Sequence, residues 1–392
     1  MDFLKSVFGK LRRYDYVLAL IVIGISVFGV VLMASNPTPV FATQHRFHVS
    51  AGIALMLIVS FIDYRFIGKF YLPIYFLSIG LLFFTLAMGP DDFTQTSRWI
   101  RIEIADRDLS VQPSELAKLA LIICASAYIH KRSNINHILW APLYGLMVAI
   151  PILAVIGQRA LSAASVLLII GLVILFVGGL YYKIILPILF LFTPAAFLLY
   201  LDMQRQESII LVNFLTERQL ERIQTFFAYS PDADARMQTE LSLFAIGSGG
   251  LNGSGFMENE ALLFHAHNDF IFALFGEQFG FIGSFILLTA LFIIIIKCLY
   301  IAFRASDVLG RLIAAGVGSM ILYETFVNIA VATDLLPNTG MPLPFLSYGG
   351  TTTWAHFICI GLALNISMNK RETLLEQEEA QVIDEMPAPR YV

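Results

Sequence analysis

Runs of about 20 consecutive apolar residues recur along this chain, and no other feature restricts its fold as strongly. A helix of that length spans the hydrocarbon core of a bilayer, whereas the strands of a membrane barrel need only about ten alternating residues. A helix also satisfies its own backbone polar groups, which a bilayer requires. Hydrophobic residues make up 58% of the chain and charged residues 14%, outside the usual range for soluble domains. We predict an all-α integral membrane protein.

Read with a window of about 19 residues, the sequence predicts about ten transmembrane helices. They fall near residues 15–34, 47–63, 69–89, 113–130, 138–157, 162–178, 181–201, 268–296, 310–336 and 345–367. The first run is not read as a cleaved signal, because it is long and further spans follow it. We predict one polytopic domain over residues 1–368 and a disordered, acidic cytoplasmic tail at 369–392.

Lysine and arginine are concentrated in alternate loops, which the positive-inside bias assigns to the cytoplasm together with both termini. The opposite face then carries the long polar segments 90–112 and 202–267 and the shorter loop 337–344. A connection of 66 residues between the seventh and eighth spans exceeds what joining two helices requires. We therefore expect this external segment to have structure of its own and the active face to be external.

Charged side chains at membrane depth are costly and usually functional. Five such residues lie within or at the ends of the predicted spans: Glu115, Lys118, Asp269, Glu277 and Glu324. Glu115 and Lys118 stand three residues apart in QPSELAK, where they form either a purely structural ion pair or one poised beside Arg98 and Arg101. Asp269 opens the eighth span and is either a helix cap or a site residue. Glu277 is expected to face the bundle.

Metal and disulfide chemistry find little support in the sequence. His265 and His267 form an i, i+2 pair before a predicted helix, a spacing that does not define a metal site. The three cysteines, Cys124, Cys298 and Cys359, lie in apolar runs without ligand-like spacing and are assigned to helix packing. No cluster of lysine or arginine with interleaved aromatics indicates a nucleic-acid partner.

Two glycine-rich segments mark places where the backbone approaches another group. AIGSGGLNGSG, residues 245–255, can present amides to a phosphate, although it lacks the Lys-Ser/Thr ending and preceding strand of a P-loop. GMPLPFLSYGGTT, residues 340–352, combines helix-breaking prolines with Ser347 and Tyr348. Irregular backbone at membrane depth is tolerated only where protein or a cavity surrounds it, so this segment is interpreted as a re-entrant turn.

Taken together and in order, these segments resemble the SEDS family of RodA- and FtsW-type peptidoglycan polymerases. The resemblance rests on SRWI, VQPSELAKLALI, AIGSGGL, HNDFIFA with its GEQFGFIG continuation, and LLPNTGMPLPFLSYGG. It implies a glycosyltransferase of the bacterial plasma membrane, and Pro342, where FtsW-like proteins tend to have threonine, favours a RodA-like member acting in cell elongation and shape. The chain departs from the family at Ala160, where an acidic residue is usual, and at Leu241, where glutamine is usual.

The resemblance implies that Asp269 is the catalytic residue. We predict that it deprotonates the acceptor sugar of lipid II, the lipid-linked disaccharide-peptide, while a polyprenyl diphosphate leaves with inversion at the donor carbon. Residues predicted to bind or orient substrate and diphosphate are Glu115, Lys118, Arg98, Trp99, His267, Ser347 and Tyr348. The sequence requires no cofactor, although Mg²⁺ or Mn²⁺ is an alternative to the protein's cations for balancing the diphosphate.

The resemblance also implies a partner, a class B penicillin-binding protein that cross-links the glycan strands. Two other functions stay open. A flippase for the lipid-linked precursor would line a path through the bundle with charge, whereas Glu115, Lys118 and Asp269 cluster near the external ends. A non-catalytic scaffold of the division or sporulation machinery is compatible with the departures at Ala160 and Leu241.

Overall fold

The computed structural model describes residues 13–34, 39–89, 98–104, 107–132, 140–179, 217–227, 233–257 and 268–369. These ranges are almost entirely helical, which confirms the predicted fold class. The helices are α1 (Tyr16–Met33), α2 (Pro39–Phe61), α3 (Tyr64–Lys69), α4 (Tyr71–Met88), α5 (Pro113–His130), α6 (Trp140–Gly157), α7 (Leu161–Val177), α8 (Glu217–Phe226), α9 (Ala233–Ser248), α10 (Ile271–Arg304), α11 (Val308–Ala332) and α12 (Thr351–Met368).

Helices of the described ranges coincide with nine of the ten predicted spans, and the span predicted at 181–201 lies outside those ranges. Among the described residues, five helices are long and apolar enough to cross a membrane, namely α1, α4, α6, α10 and α11; α7 is apolar but shorter. Helix α12 begins at Thr351 rather than at 345. Phe345 has a φ of +66°, and Gly349 and Gly350 disfavour a helix, so the backbone before Thr351 is irregular.

Helices α5, α11 and α12 form the centre of the bundle, where nearly every residue is buried. Small residues allow the close approach: a Cβ on Gly316 of α11 would lie 3.0 Å from Ile174 of α7 and 3.2 Å from Ile122 of α5. Large apolar side chains on peripheral helices, such as Phe76 and Phe303, are more than half exposed. Such exposed apolar surface is stable against lipid tails and marks a membrane protein.

A β-hairpin, which the sequence analysis did not predict, lies in the polar segment 90–112. Strand β1 (Ile100–Ile104) pairs antiparallel with β2 (Arg107–Val111). The alternation in IRIEI was the available signal, because period-two alternation favours a strand. The hydroxyl of Thr351 accepts from the Gln112 amide and donates to the Ser110 carbonyl, both at 3.1 Å. The hairpin is thereby fastened to the first residue of α12.

The glycine-rich segment 245–255, whose amides were expected to be able to meet a phosphate, docks on α10 instead. Helix α10 is interrupted at Gly280, whose φ is +62°. Beside this interruption the Ser254 amide donates to the Glu277 carbonyl at 2.9 Å. A Cβ on Gly253 would stand 2.1 Å from the carbonyl oxygen of Gln278, so only glycine fits there. These amides bind protein carbonyls, and no residue of the segment lines the cavity described below.

Asp307, between α10 and α11, joins three elements at the face predicted to be cytoplasmic. Its carboxylate accepts from Tyr64 Oη at 2.8 Å, from Arg65 Nε at 2.7 Å and from the Gly310 amide at 2.7 Å. Burial raises the pKa of Asp307, but the hydrogen bonds from Gly310, Arg65 and Tyr64 outweigh it and hold that pKa below its ordinary value.

Candidate active site

A cavity of about 630 Å³ lies where the starts of α5 and α12 meet α8 and the irregular segment 333–350. Six of the eight residues predicted for the site line this cavity, although they come from distant parts of the sequence. These are Arg98, Trp99, Glu115, Lys118, Asp269 and Tyr348. His267 lies outside the described residues. Ser347 is buried but is not part of the cavity wall.

Asp269 does not cap α10, so the capping interpretation of this residue is wrong. The helix begins at Ile271, and its N-cap is Phe270, which makes no side-chain capping hydrogen bond. The carboxylate of Asp269 instead belongs to the cavity wall, with Oδ2 3.6 Å from the point where a Cβ would stand on Gly340. The local backbone is held by Asn328, whose side-chain amide donates to the Asp269 carbonyl at 2.9 Å.

Two arginines lie beside Asp269. Burial and, to a smaller extent, the charge of Arg222 lower the pKa of Arg98 to about 10, although the charge of Asp269 opposes both effects. Arg98 is therefore still a cation at neutral pH. Its guanidinium donates to the carbonyl of Arg159, and Arg222 Nη1 lies 3.9 Å from the Cβ point on Gly340. The carboxylate and both guanidinium groups consequently share one small region of the cavity.

The ion pair predicted between Glu115 and Lys118 is present, with Lys118 Nζ 2.7 Å from Glu115 Oε2. Lys118 also contacts Glu324 Oε1 on α11 at 2.6 Å, and Glu324 Oε2 lies 2.5 Å from His356 Nε2 on α12. All four side chains are buried. Glu324 was predicted from the sequence as a charge at membrane depth, but its partner was not. His356 was not among the predicted residues.

Segment 333–350 carries Ser347 and Tyr348 in an irregular, mostly buried path. The Ser347 hydroxyl donates to the Asn268 carbonyl at 2.9 Å and accepts from the Leu343 amide at 2.7 Å, so it is used within the protein. The Tyr348 hydroxyl donates to Gln44 Oε1 at 2.5 Å, while the residue lines the cavity. The re-entrant interpretation of this segment agrees with its position on the cavity wall.

Arg222 and Asn328 are site residues that sequence reasoning missed. Arg222 lies in α8, an amphipathic helix of the segment predicted to be external, and cationic residues on such a helix were the available signal. Asn328 is a buried amide in an apolar run, which always needs a partner. Ala160, where the family usually has an acidic residue, stands on the cavity wall, so the wall has no carboxylate at that point.

Within the described parts of the chain, no group of three or more His, Cys, Asp or Glu side chains is placed to hold a metal ion. Glu115 and Glu324 are both engaged by Lys118. A divalent cation at this site remains a prediction. The three cysteines are buried and form no disulfide, in agreement with their assignment to helix packing.

Apolar helices around a buried, charged cavity define a polytopic membrane protein with a polar site. The sequence model of the FtsW, RodA and SpoVE family, described as "Cell cycle protein", matches residues 13–372. The chain belongs to this family, which is the SEDS family of the sequence analysis.

The relatives are enzymes of cell-wall synthesis by name. The chain is 31% identical to the probable peptidoglycan glycosyltransferase FtsW of Trichlorobacter lovleyi, over 97% of this chain and all of that protein. It is 27% identical to the peptidoglycan glycosyltransferase MrdB of Escherichia coli K12, over 94% of this chain and 97% of that protein. Relatives named FtsW and MrdB therefore both match over nearly their whole length.

Solved structures agree with the fold. One, described as "Structural coordination of polymerization and crosslinking by a peptidoglycan synthase complex", has a TM-score of 0.76 at 25% identity and covers 92% of this chain and 99% of its own. RodA of Thermus thermophilus has a TM-score of 0.65 at 25% identity and covers 92% of this chain and 98% of its own.

Proposed function

We propose that this protein is a peptidoglycan glycosyltransferase that polymerises lipid II at the external face of the bacterial plasma membrane. The observation that carries the proposal is the cavity in which the Asp269 carboxylate lies beside Arg98 and Arg222, with Lys118 on the same wall. Family membership and the names of the full-length relatives support the same activity.

The reaction explains why one carboxylate is enough. Glycoside hydrolysis uses two carboxyl groups, because the leaving alkoxide must be protonated. A diphosphate is already a good leaving group, so its transfer needs a base on the acceptor and positive charge on the departing oxygens. The cavity supplies Asp269 for the first task and Arg98, Arg222 and Lys118 for the second.

In the proposed step, the Asp269 carboxylate accepts the proton of the acceptor sugar's hydroxyl. The hydroxyl oxygen then forms a bond to the anomeric carbon of the donor, opposite the diphosphate. The bond between that carbon and the diphosphate oxygen breaks, its electron pair stays on the diphosphate, and the configuration at the carbon inverts. The guanidinium and ammonium groups stabilise the charge that develops on the leaving oxygen.

The membrane location follows from the substrate. Both sugars are carried on prenyl chains, which are as apolar as lipid tails and need an apolar surface beside the reacting groups. The peripheral helices carry exposed Phe and Leu side chains in abundance. The distribution of Lys and Arg over the loops supports cytoplasmic termini and an external cavity.

The partner is proposed to be a class B penicillin-binding protein, which cross-links the strands. The likeness to a protein from a peptidoglycan synthase complex that coordinates polymerisation and crosslinking supports this pairing. Pro342 supports a RodA-like role in elongation and shape.

The proposal is tested with purified protein in liposomes that contain fluorescent lipid II, with and without the partner. Wild-type protein is expected to make glycan polymer, and Asp269→Asn is expected to lower the rate by roughly 10²- to 10⁴-fold, as for loss of a general base. Glu277→Gln is the matched control, since Glu277 is a buried carboxyl outside the cavity wall. Equal rates for wild type and Asp269→Asn would remove Asp269 from the mechanism.

The same liposomes separate the rival functions. A flippase would move fluorescent lipid II between leaflets without forming polymer, and Asp269→Asn would then change the rate of movement. A scaffold would do neither, and the Asp269→Asn variant would support growth of a strain depleted of its polymerase.

A further inference from the structure

Four ionisable side chains form one continuous buried chain across the centre of the bundle. It runs from Glu115 to Lys118 on α5, then to Glu324 on α11 and His356 on α12, with contacts of 2.7, 2.6 and 2.5 Å. Each of the four residues is 5% exposed or less. Glu324 on α11 and His356 on α12 have no role in the reaction described above.

The charges of this chain balance when both carboxylates are ionised and His356 carries a proton. Two carboxylates and one ammonium leave one negative charge, and a buried charge without a partner is strongly unfavourable. The Glu324 carboxylate only accepts hydrogen bonds, so Nε2 of His356 must donate to it. The Phe345 ring, whose centroid lies 5.6 Å from that of the imidazole, is an uncharged neighbour.

We propose that His356 and Glu324 form a buried imidazolium–carboxylate pair that balances the charge at Lys118 and positions its ammonium group for a diphosphate oxygen. Lys118 Nζ has three N–H donors, and Glu115 and Glu324 take two of them. No protein partner for the third donor is found among the described residues, and Lys118 lines the cavity. The inference therefore rests on the proposed function, in which the cavity binds a diphosphate.

Glu324 and His356 are thus positioning residues rather than catalytic ones. Holding the ammonium between two carboxylates fixes a flexible side chain before substrate binds, so that less conformational entropy is lost on binding. Neutralising Glu324 with His356 prevents its negative charge from repelling the diphosphate. Without the imidazolium, the three groups near the cavity would carry a net charge of about −1.

The test measures binding of farnesyl diphosphate, a short prenyl diphosphate, to the purified full-length protein in detergent. His356→Gln is expected to weaken binding about tenfold, because it leaves Glu324 without its counter-charge. Glu324→Gln is expected to bind within about threefold of wild type, since the glutamine oxygen can still accept from Lys118 and no carboxylate is left without a counter-charge. The double variant Glu324→Gln/His356→Gln is expected to recover the affinity lost in His356→Gln.

This recovery distinguishes charge balance from packing, because two packing defects would add. A double variant that binds as weakly as His356→Gln, or more weakly, overturns the inference. An unchanged affinity in His356→Gln overturns it as well. His45→Gln is the matched control, since His45 is a fully buried histidine that does not line the cavity, and it is expected to bind like wild type. Lys118→Met should lose binding, which places the probe in this cavity.

A second readout does not depend on the folding of His356→Gln. Nitrogen-15 NMR spectra of histidine-labelled wild-type protein should contain an imidazolium signal that is absent from Glu324→Gln. Identical spectra for the two proteins would contradict the imidazolium. Polymer formation, assayed in parallel, separates the two proposals. If the probe binds through Lys118 but no polymer forms, only the proposed function is removed. If polymer forms through Asp269 but His356→Gln binds the probe like wild type, only this inference is removed.

Discussion

The side-chain amide of Asn328 donates to the backbone carbonyl of Asp269 at 2.9 Å, across the boundary between α11 and the start of α10. The same nitrogen donates to the carbonyl of Met341 at 2.8 Å. One buried amide thereby ties the residue proposed as the base to the irregular segment that forms the opposite wall. The position of the carboxylate is set by backbone contacts, so it depends on residues that never touch substrate.

Replacing Asn328 with alanine tests this dependence. We expect the polymerisation rate to fall roughly tenfold, because small displacements of a reacting group have large effects on rate. The expected loss of thermal stability is only a few degrees, about that of one neutral hydrogen bond and a small cavity. Asn369→Ala is the matched control at the far end of α12, where the side chain bonds only within its own helix end. An equal effect of both variants would contradict the prediction.

Gly340→Ala should distort the backbone beside Asp269. Gly340 has a φ of +70°, which costs an alanine roughly 1–2 kcal/mol, and its Cβ would stand 3.6 Å from Asp269 Oδ2. We expect lower affinity for the lipid-linked donor and a lower melting temperature. Gly80→Ala in α4 is the control, because its Cβ meets nothing within 4 Å, and it should leave activity unchanged. Full activity of Gly340→Ala would show that the close contact between Gly340 and the Asp269 carboxylate is not needed.

The alkaline side of the pH–rate profile reports on Arg98. A cation is needed on the diphosphate, so activity should be present below the pKa of Arg98, about 10, and decline as the pH rises through it. The charge of Arg222 is one cause of that low pKa. Arg222→Gln should therefore move the decline to higher pH, even if the rate at neutral pH falls. A decline at the same pH in both proteins would assign it to another group.

Acid stability should depend on Asp307. Its pKa in the folded protein is below the ordinary value, so its contribution to stability is fully present above about pH 4 and is lost as the pH falls through the folded value. Asp307→Asn should therefore melt lower than wild type at neutral pH, and the difference should shrink in acid. Arg65→Gln, which removes one donor to the carboxylate, should show the same trend. If the difference in melting temperature were the same at all pH values, the stability would not depend on the protonation of Asp307.

Hydropathy predicted the spans well, because the length of an apolar run is set by the bilayer and not by tertiary contacts. The ion pair of Glu115 and Lys118 was predictable for a similar reason: residues three apart on a helix are neighbours wherever the helix lies. The alternation of IRIEI was also local information, and the β1–β2 hairpin was missed only because the segment was treated as a loop.

Contacts between segments that are distant in sequence could not be predicted from local patterns. Glu324 was recognised as an unusual charge, but its partner His356 lies on another helix, and nothing in a single sequence pairs them. The glycine-rich segment illustrates the same limit. Its glycines correctly indicated a close approach, yet the sequence does not show that the approaching group is the carbonyl of Gln278 rather than a phosphate.

Backbone groups of the cavity-wall segment between α11 and α12 are hydrogen-bonded by buried side chains. A continuous helix would use its own carbonyls and amides, whereas segment 333–350 leaves the Met341 carbonyl for Asn328 and the Leu343 amide for Ser347. Exchanges of outward-pointing side chains in this stretch should thus be tolerated during evolution. Insertion or deletion of one residue should not be, since it would shift every backbone group out of register with its partner.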